Sequence, residues 1–217
     1  MLICALNEEE SLPHVLPKIP DEVDEVLLVD GHSSDRTVEV AKQLRPDIRI
    51  VRQPGKGKGS ALRHGVREAK GDIVVTIDAD GETNPADLPR FIEPLLDGYD
   101  FAKGTRLTSG RPPTMPWHRW LGNKALAITC NVLFGTRYTD VGSGYNAFWK
   151  SAFQQLQLTY NGFEMEQEMV VKVRKAGLRI AEVRHHDPGR VGGVSKLRDV
   201  KQGFIDWFVI IRERFRR

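Results

Sequence analysis

Short apolar runs alternate with amphipathic stretches of helical length over the first hundred residues of the chain. Apolar runs of this length between polar loops indicate buried strands, whereas apolar spacings of three and four residues indicate helices. Strands are predicted at Leu2–Leu6, Glu25–Val29, Ile48–Arg52, Ile73–Ile77 and Asp100–Gly104. Helices are predicted at Glu8–Leu16, Arg36–Leu44, Lys58–Ala69 and Pro85–Leu96. This alternation predicts an α/β fold with a mostly parallel central sheet and helices on both faces.

The pattern changes after residue 104. Residues 105–120 are rich in Pro, Arg, Thr and Trp and are predicted to form a mobile loop. The elements predicted after it are a helix from about Leu121 to Leu133, a Gly-rich turn at Asp140–Asn146, a helix at Glu164–Ala176, a strand at Arg179–Val183 and a basic loop at His185–Lys196.

The last stretch, Asp199–Arg217, has the pattern of an amphipathic helix. Phe204, Phe208 and Phe215 recur at helical spacing, and arginines crowd the end of the stretch. Two interpretations stay open. The helix either packs on the core with a solvated basic end, or lies in a membrane interface and is attracted to anionic lipid.

Composition bounds the class of protein. A chain of 217 residues with 40% hydrophobic content can bury one sizeable core, so residues 1–217 are predicted to form a single domain. A net charge of only +3 argues against a protein that coats nucleic acid, and no nucleic-acid partner is expected. Cys4 and Cys130 are far apart and are expected to be free thiols.

The expected location follows from the same features. No apolar run reaches the roughly 18 residues that a membrane-spanning helix needs. A cytoplasmic protein is therefore predicted, and peripheral attachment to the inner face of the membrane is an alternative through the basic amphipathic tail.

Candidate chemistry concentrates in the loops that follow the predicted strands, since ligands of open parallel sheets bind outside the carboxyl ends of the strands. The strongest signal is the strand Ile73–Ile77 running into Asp78 and Asp80, with Glu82 in the same turn. Two carboxylates at alternate positions can share a hard cation such as Mg²⁺ or Mn²⁺, whose remaining ligands are often phosphate oxygens. The alternative is a structural turn or a helix cap.

A glycine-rich loop, Pro54–Ser60, precedes a predicted helix and contains Lys58. Glycines allow close approach to a phosphate, and a helix N-terminus favours an anion. The spacing is not that of the phosphate-binding P-loop, and a flexible surface turn with solvated lysines is the alternative.

Three further segments offer polar groups. Asp30 and Asp35 flank a turn where a carboxylate could accept hydrogen bonds from a base or ribose, although Asp35 is equally suited to cap a helix. The stretch from Asp140 to Tyr145 offers either flexible backbone with one hydroxyl or a structural turn. In Phe163–Glu168, at least one of three carboxylates is expected to point into the site.

The order of these motifs resembles that of the family-2 glycosyltransferases. The matching segments are Ala5–Glu9, Val29–Thr37, Gly57–Gly59, Asp78–Asp80 and Gly104–Arg106. Within the family the chain is most similar to the dolichyl- and polyprenyl-phosphate sugar transferases, in the segments Asp140–Phe148 and Arg190–Lys196.

The resemblance implies a glycosyltransferase-A (Rossmann-like) fold and an inverting, metal-dependent transfer of a hexose from a donor such as GDP-mannose or UDP-glucose. It divides the domain into a donor-binding half (1–104), an acceptor-side half (105–198) and the C-terminal helix (199–217). The residues it assigns to the nucleotide sugar are Leu6, Glu8, Val29, Asp30, Lys58, Asp78, Ala79 and Asp80. The implied metal ligands are Asp78, Asp80 and Glu82, and the implied phosphate or acceptor contacts are Arg106, Arg119, Ser143, Arg190 and Lys196.

The predicted reaction is a displacement at the anomeric carbon, with Asp80, Arg106, Glu164 and Glu166 as candidate catalytic residues. A polyprenyl phosphate acceptor is already an anion and needs no strong base, whereas a hydroxyl acceptor would use Glu164 or Glu166. Three hypotheses stay open: a lipid-phosphate acceptor, a soluble hydroxyl acceptor, and a nucleotide-sugar-binding module without turnover. A nucleotidyltransferase is disfavoured because Asn7–Glu10 stands where its glycine-rich signature is expected.

Overall fold

The computed structural model describes residues 1–192 and 199–216. Its strands are β1 (Leu2–Ala5), β2 (Leu27–Asp30), β3 (Arg49–Arg52), β4 (Ile73–Asp78), β5 (Phe101–Thr105), β6 (Asn146–Trp149) and β7 (Ile180–Arg184). They form one sheet in the order β3-β2-β1-β4-β6-β5-β7. The predicted α/β class and mostly parallel sheet are confirmed.

Strand β6 differs from the prediction, which has only a turn up to Asn146. It is antiparallel to both neighbours, pairing with β4 on one side and β5 on the other. Its four residues are too few for a periodic signal, so the sequence pattern does not distinguish it from the turn. Because β6 runs against the other strands, the loop before it, residues 140–145, reaches the edge where the other strands end.

The helices are α1 (Leu12–Val15), α2 (Thr37–Leu44), α3 (Lys58–Glu68), α4 (Leu88–Leu96), α5 (Trp117–Phe134), α6 (Lys150–Gln155), α7 (Met165–Lys175) and α8 (Asp199–Phe215). Two predictions were wrong at their boundaries. The first helix shrinks to one turn followed by the 3₁₀ segment Leu16–Lys18, where Pro13 and Pro17 remove backbone donors. Helix α5 begins at Trp117, inside the predicted mobile loop, with Pro116 as its N-cap.

Both faces of the sheet are covered, because successive strand side chains point to opposite sides. On β1, Ile3 packs with Leu12 and Phe91 on the face that carries α1 and α4. Leu2 packs on the other face with Leu62 of α3 and Met169 of α7. The predicted helices on both faces are thus confirmed.

Helix α8 packs against α5 and α7 through a separate apolar cluster. Ile210 is buried there with Leu126, Cys130 and Val171. None of the helices in the described part of the chain is long and apolar enough to cross a bilayer. The position of α8 makes it one wall of the site described next.

Candidate active site

A cavity of about 990 Å³ opens at the carboxyl edge of the sheet. Its walls come from the ends of β1 and β4, the glycine-rich loop before α3, the loop before β6, and helices α5, α7 and α8. Residues far apart in sequence therefore share one large concave site, as expected where parallel strands end together.

Asp78 and Asp80 lie on this wall at the end of β4. The Lys58 ammonium contacts Asp78 Oδ1 at 2.6 Å. Gly144, in the loop before β6, packs so tightly on the same carboxylate that a Cβ there would lie 2.2 Å from Asp78 Oδ2. Asp78 is thus fixed between a cation and a backbone.

Asp78, Asp80 and Glu82 form an acidic group at the end of β4. Burial, together with the carboxylates of Asp78 and Glu82, raises the pKa of Asp80 to about 7. Burial also raises the pKa of Glu82, and Arg119, 4.0 Å away, opposes the rise. Clustered buried carboxylates are stabilised by a cation.

The donor set can be tested against a divalent ion. Within residues 1–192 and 199–216, no three His, Cys, Asp or Glu side chains converge as a preformed metal cage. Mg²⁺-type sites, however, commonly use one or two carboxylates and take the other ligands from substrate phosphate and water. Asp78 and Asp80 fit such a shared site better than a closed protein site.

Lys58 joins two parts of the cavity. Its Nζ also contacts Glu166 Oε1 at 2.6 Å, so one ammonium bridges β4 and α7. Burial alone would lower the pKa of Lys58, but Asp78 and Glu166 outweigh it and raise the pKa. Glu166 lines the cavity as predicted, and the Lys58 ammonium holds its carboxylate in place.

The glycines at the start of α3, Gly57 and Gly59, pack closely against a second loop. A Cβ at Gly57 would lie 2.2 Å from the carbonyl oxygen of Asn161, and Gly59 is equally close to Tyr160. The Gly59 amide donates to the Asn161 oxygen at 2.8 Å, so this helix N-terminal donor is already used. These glycines permit close packing of two loops and thereby aim Lys58 into the cavity.

Arg106 is committed to a neighbouring loop. Its guanidinium forms a two-pronged contact with Asp140, at 2.8 and 3.2 Å, and donates to the Gly142 oxygen. Burial would raise the pKa of Asp140, but Arg106 outweighs this and holds the pKa well below its usual range. Arg106 also lines the cavity, so the structure adds a loop-positioning contact to its predicted role.

Two other predicted basic residues reach the acidic group. Arg190 donates to Glu8 at 2.7 and 2.8 Å and lies 3.3 Å from Asp80. Arg119, on α5, also lines the cavity and lies 4.0 Å from Glu82. Lys196, the last of the predicted basic set, lies outside the described residues.

The residues predicted to bind the nucleotide do not all reach the cavity. Leu6, Glu8 and Ala79 line the cavity. Val29 instead packs in the core, and Asp30 is buried beneath the loop, where it accepts from the Ser33 amide at 3.0 Å. The two residues that follow β2, Gly31 and His32, line the cavity instead.

On the acceptor side, Ser143 lines the cavity and pairs with His185 Nε2 at 2.9 Å. Glu164 is not among the described residues that line the cavity, and its carboxylate accepts a hydrogen bond from the Gly162 amide. Of the two candidate bases, the structure therefore brings only Glu166 to the cavity.

Sequence reasoning missed several polar cavity residues, among them His185, Gln167 and Asp206. Gln167 directly follows Glu166, in a stretch where only the carboxylates were predicted to point into the site. Asp206 is a lone acid within the apolar run of α8, and an acid at such a position is a signal of a polar environment. Burial raises the pKa of Asp206 to about 7, and Glu166 and Glu164 add to the rise.

Comparison with known proteins identifies the class of enzyme. The family model "Glycosyl transferase family 2" matches residues 1–157. The chain belongs to this family of glycosyltransferases.

Individual relatives and structures agree with this assignment. "Glycosyltransferase AglJ" of Haloferax volcanii is 32% identical over 95% of the chain and 68% of its own length. The "Dolichyl-phosphate hexose transferase" of the same organism is 34% identical over 82% of the chain and 77% of its own length. Glucosyl-3-phosphoglycerate synthase from Mycobacterium tuberculosis, solved with Mn²⁺, UDP-glucose and phosphoglyceric acid, superposes with a TM-score of 0.74 at 22% identity, covering 99% of this chain and 78% of the other. The fold is that of the glycosyltransferase-A enzymes.

Proposed function

We propose that the protein is an inverting, metal-dependent glycosyltransferase that moves a hexose from a nucleotide-diphosphate donor to a polyprenyl phosphate. The observation that carries the proposal is the Asp78 and Asp80 pair at the wall of a cavity that also presents Lys58, Arg119 and Arg190. Acidic ligands for a cation beside basic groups for phosphate suit a diphosphate better than a neutral ligand.

The donor is assigned by class. The solved neighbour contains UDP-glucose with Mn²⁺, and the relatives carry names of hexose transferases. GDP-mannose and UDP-glucose are therefore the first donors to try, with Mg²⁺ or Mn²⁺. Asp78 and Asp80 would hold the ion, which would stabilise negative charge on the departing diphosphate.

The chain's own residues supply the remaining chemistry. Arg119 and Arg190 neutralise phosphate charge, and Lys58 holds the side chains of Asp78 and Glu166 in place. The loop held by Arg106 and Asp140 packs on Asp78 through Gly144 and would shield that side of the reacting centre from water.

An apolar surface beside the cavity supports a lipid acceptor. On α5, Trp117, Leu121, Ile128 and Val132 are exposed at helical spacing. On α8, Val200, Phe204, Phe208 and Phe215 form a second exposed stripe. We call these two stripes the apolar face.

Charge and position favour a membrane as the partner of the apolar face. The two helices pack together, and Val200 and Phe204 also line the cavity. The exposed Lys124, Lys201, Arg212 and Arg214 lie on the same helices and suit anionic headgroups. Packing on the core and contact with a membrane are compatible for α8, since this helix buries Ile210 in the protein and presents Phe204 outward. We place the enzyme at the cytoplasmic face of the membrane.

We also propose the predicted division of labour within one domain. Residues 1–104 bind the donor, residues 105–198 form the acceptor side, and α8 completes the acceptor wall.

A soluble hydroxyl acceptor is the second candidate, and Glu166 is the observation that favours it. A carboxylate at the cavity wall could accept the proton of an attacking hydroxyl. The Glu166 carboxylate is already paired with the Lys58 ammonium at 2.6 Å, so an attacking hydroxyl would compete with that contact.

The experiment that tests the proposal incubates the purified enzyme with Mn²⁺, detergent-dispersed polyprenyl phosphate and radiolabelled donors in parallel. A labelled glycolipid with one donor is expected. Asp80→Asn is expected to abolish it, while Asp97→Asn, an exposed aspartate outside the cavity lining, keeps full activity.

Other outcomes separate the alternatives. Transfer to a soluble hydroxyl compound but not to lipid phosphate would support the second candidate. Donor binding with the same affinity in Asp80→Asn, and no transfer to either acceptor, would indicate a module without turnover and overturn the proposal.

A further inference from the structure

A buried polar atom on the cavity wall lacks a partner among the residues that the structure describes. Gln167, on α7, is only 3% exposed and lines the cavity. Its amide nitrogen Nε2 donates to the Val141 carbonyl at 3.3 Å. A carbonyl can only accept, so this contact fixes which way the amide points. The Gln167 oxygen Oε1 is left buried and accepts no hydrogen bond from residues 1–192 or 199–216.

The unpartnered oxygen specifies the chemistry of its ligand. Buried polar groups in native proteins are nearly always paired, and an exception calls for a missing partner. An amide oxygen only accepts, so the partner must be a donor such as a hydroxyl group. Phosphate oxygens and carboxylates at neutral pH cannot fill this role.

Other polar groups of the same wall have partners. Glu166 takes the Lys58 ammonium, Ser143 pairs with His185, and Asp206 accepts from Gln202 at 2.8 Å. The Thr83 hydroxyl also lines the cavity and has no partner among the described residues, but it lies next to Glu82 at the acidic end. Gln167 is distinct because its unpartnered atom, an amide oxygen on α7, can only accept.

The position of Gln167 identifies which part of the substrate it meets. The nucleotide end lies on the β1 and β2 side of Asp78, where Leu6 and His32 line the cavity. Gln167 lies on the other side, because Val141, which holds it, belongs to the loop before β6. Gly144 of that loop abuts Asp78. The space beyond the diphosphate on this side belongs to the sugar and the acceptor.

We propose that Gln167 Oε1 accepts a hydrogen bond from one hydroxyl group of the transferred hexose, which makes Gln167 a specificity-determining residue. The inference rests on the proposed function. A lipid phosphomonoester above its second pKa, about 6, carries no O–H group, so the donor of this hydrogen bond is the sugar.

The test compares a parent donor, UDP-glucose or GDP-mannose, with its monodeoxy analogues, each lacking one hydroxyl group. For the wild-type enzyme, removal of one particular hydroxyl is expected to lower kcat/KM at least about 10-fold, since it leaves Oε1 unpaired. In Gln167→Met, which keeps the size but lacks the acceptor, the penalty at that one position is expected to vanish. Penalties at the other positions should stay.

Controls keep the outcome specific. Gln154→Met, at an exposed position on α6, should retain the full wild-type pattern. Calorimetric binding of the nucleoside diphosphate, which has no sugar, should be unchanged in Gln167→Met and reports that the variant is folded. If Gln167→Met does not bind the nucleoside diphosphate as the wild type does, Gln167→Leu is used instead.

Two failures can be told apart. No transfer of any parent donor to lipid phosphate overturns the proposed function, and the monodeoxy series is then read by calorimetry instead. If each monodeoxy analogue carries the same penalty in Gln167→Met as in the wild type, by either readout, the inference about Gln167 is overturned.

Discussion

Asp78 has room at the end of β4 because residue 144 has no side chain. A Cβ at Gly144 would lie 2.2 Å from Asp78 Oδ2, closer than real contacts allow, and 3.0 Å from the Lys58 ammonium. Gly144→Ala must therefore shift the loop before β6 or the carboxylate. Displacement of a substrate-positioning group by about 1 Å costs roughly 100-fold in rate, and we expect a loss of kcat/KM of that order.

The matched control for this prediction is Gly71→Ala. Gly71 is exposed before β4, and a Cβ there meets nothing nearer than 3.4 Å. Steady-state kinetics should leave this variant near wild type. A Gly144→Ala enzyme with unchanged kcat/KM would contradict the tight placement of Asp78.

Asp206 gives a prediction about pH. Burial raises its pKa in the folded protein to about 7, against about 3.9 in an unfolded chain. Between these values the folded state holds a proton that the unfolded state releases, so this group lowers the stability as the pH rises towards 7. Asp206→Asn removes that loss and should raise the free energy of unfolding by on the order of 2 kcal/mol at pH 8.

The measurement is urea unfolding of Asp206→Asn and wild type at pH 5 and pH 8. The gain should be clearly smaller at pH 5, where less of the loss has developed. Asp97→Asn, an exposed aspartate, serves as the control at both pH values. A gain of equal size at pH 5 and pH 8 would contradict the assigned pKa.

At the residue scale, the sequence predicted which side chains reach the cavity better than it predicted the contacts that hold them. Asp78, Asp80 and Glu166 reach the cavity because a strand end and a helix start can be located by pattern. The partners of Arg106 and Gln167 could not be predicted. Both are held by the loop before β6, whose position depends on tertiary pairing far along the chain.

At the element scale, the apolar face makes α5 and α8 the parts of the molecule to test against membranes. Phe204 and Phe208 are 71% and 61% exposed, so replacing them removes little internal packing. Phe204→Ser/Phe208→Ser should weaken partitioning onto phosphatidylglycerol-containing vesicles at least about 10-fold, because each buried aromatic contributes about 1.5–3 kcal/mol. Co-sedimentation with vesicles measures this.

The control is Leu44→Ser/Leu96→Ser, which changes exposed leucines at the ends of α2 and α4. It should bind vesicles as wild type does. Both double variants should keep a free energy of unfolding within about 0.5 kcal/mol of wild type per exposed site. Equal vesicle binding by all three proteins would remove the apolar face as the membrane contact.

Elements were predicted well where they are periodic and poorly where they are short. The five strands predicted within the first 104 residues all exist in the sheet. The four residues of β6 gave no period, and their pairing with β4 and β5 is decided by sequence-distant partners. Missing β6 also hid how residues 140–145 reach the cavity.

At the scale of the whole molecule, the cavity joins the sheet edge to α5, α7 and α8, so a ligand that fills it links elements from both halves of the chain. A ligand that binds only the folded state stabilises it by about 2.7 kcal/mol at 100 times its Kd. For a chain of this size, 1 kcal/mol shifts Tm by about 2–4 °C, which predicts a rise of roughly 5–10 °C.

The rise should depend on metal and nucleotide together, because Asp78 and Asp80 supply only part of a cation's ligands and the diphosphate supplies others. We expect small shifts from Mn²⁺ alone or from a nucleoside diphosphate alone, and a larger shift from both than the sum of the two. Removal of the metal with EDTA should erase the excess, and Asp80→Asn should lack it from the start while Asp97→Asn keeps it. Differential scanning fluorimetry measures all of these combinations in one series. Purely additive shifts in the wild-type protein would mean that metal and diphosphate bind apart, and that Asp78 and Asp80 do not hold a shared ion.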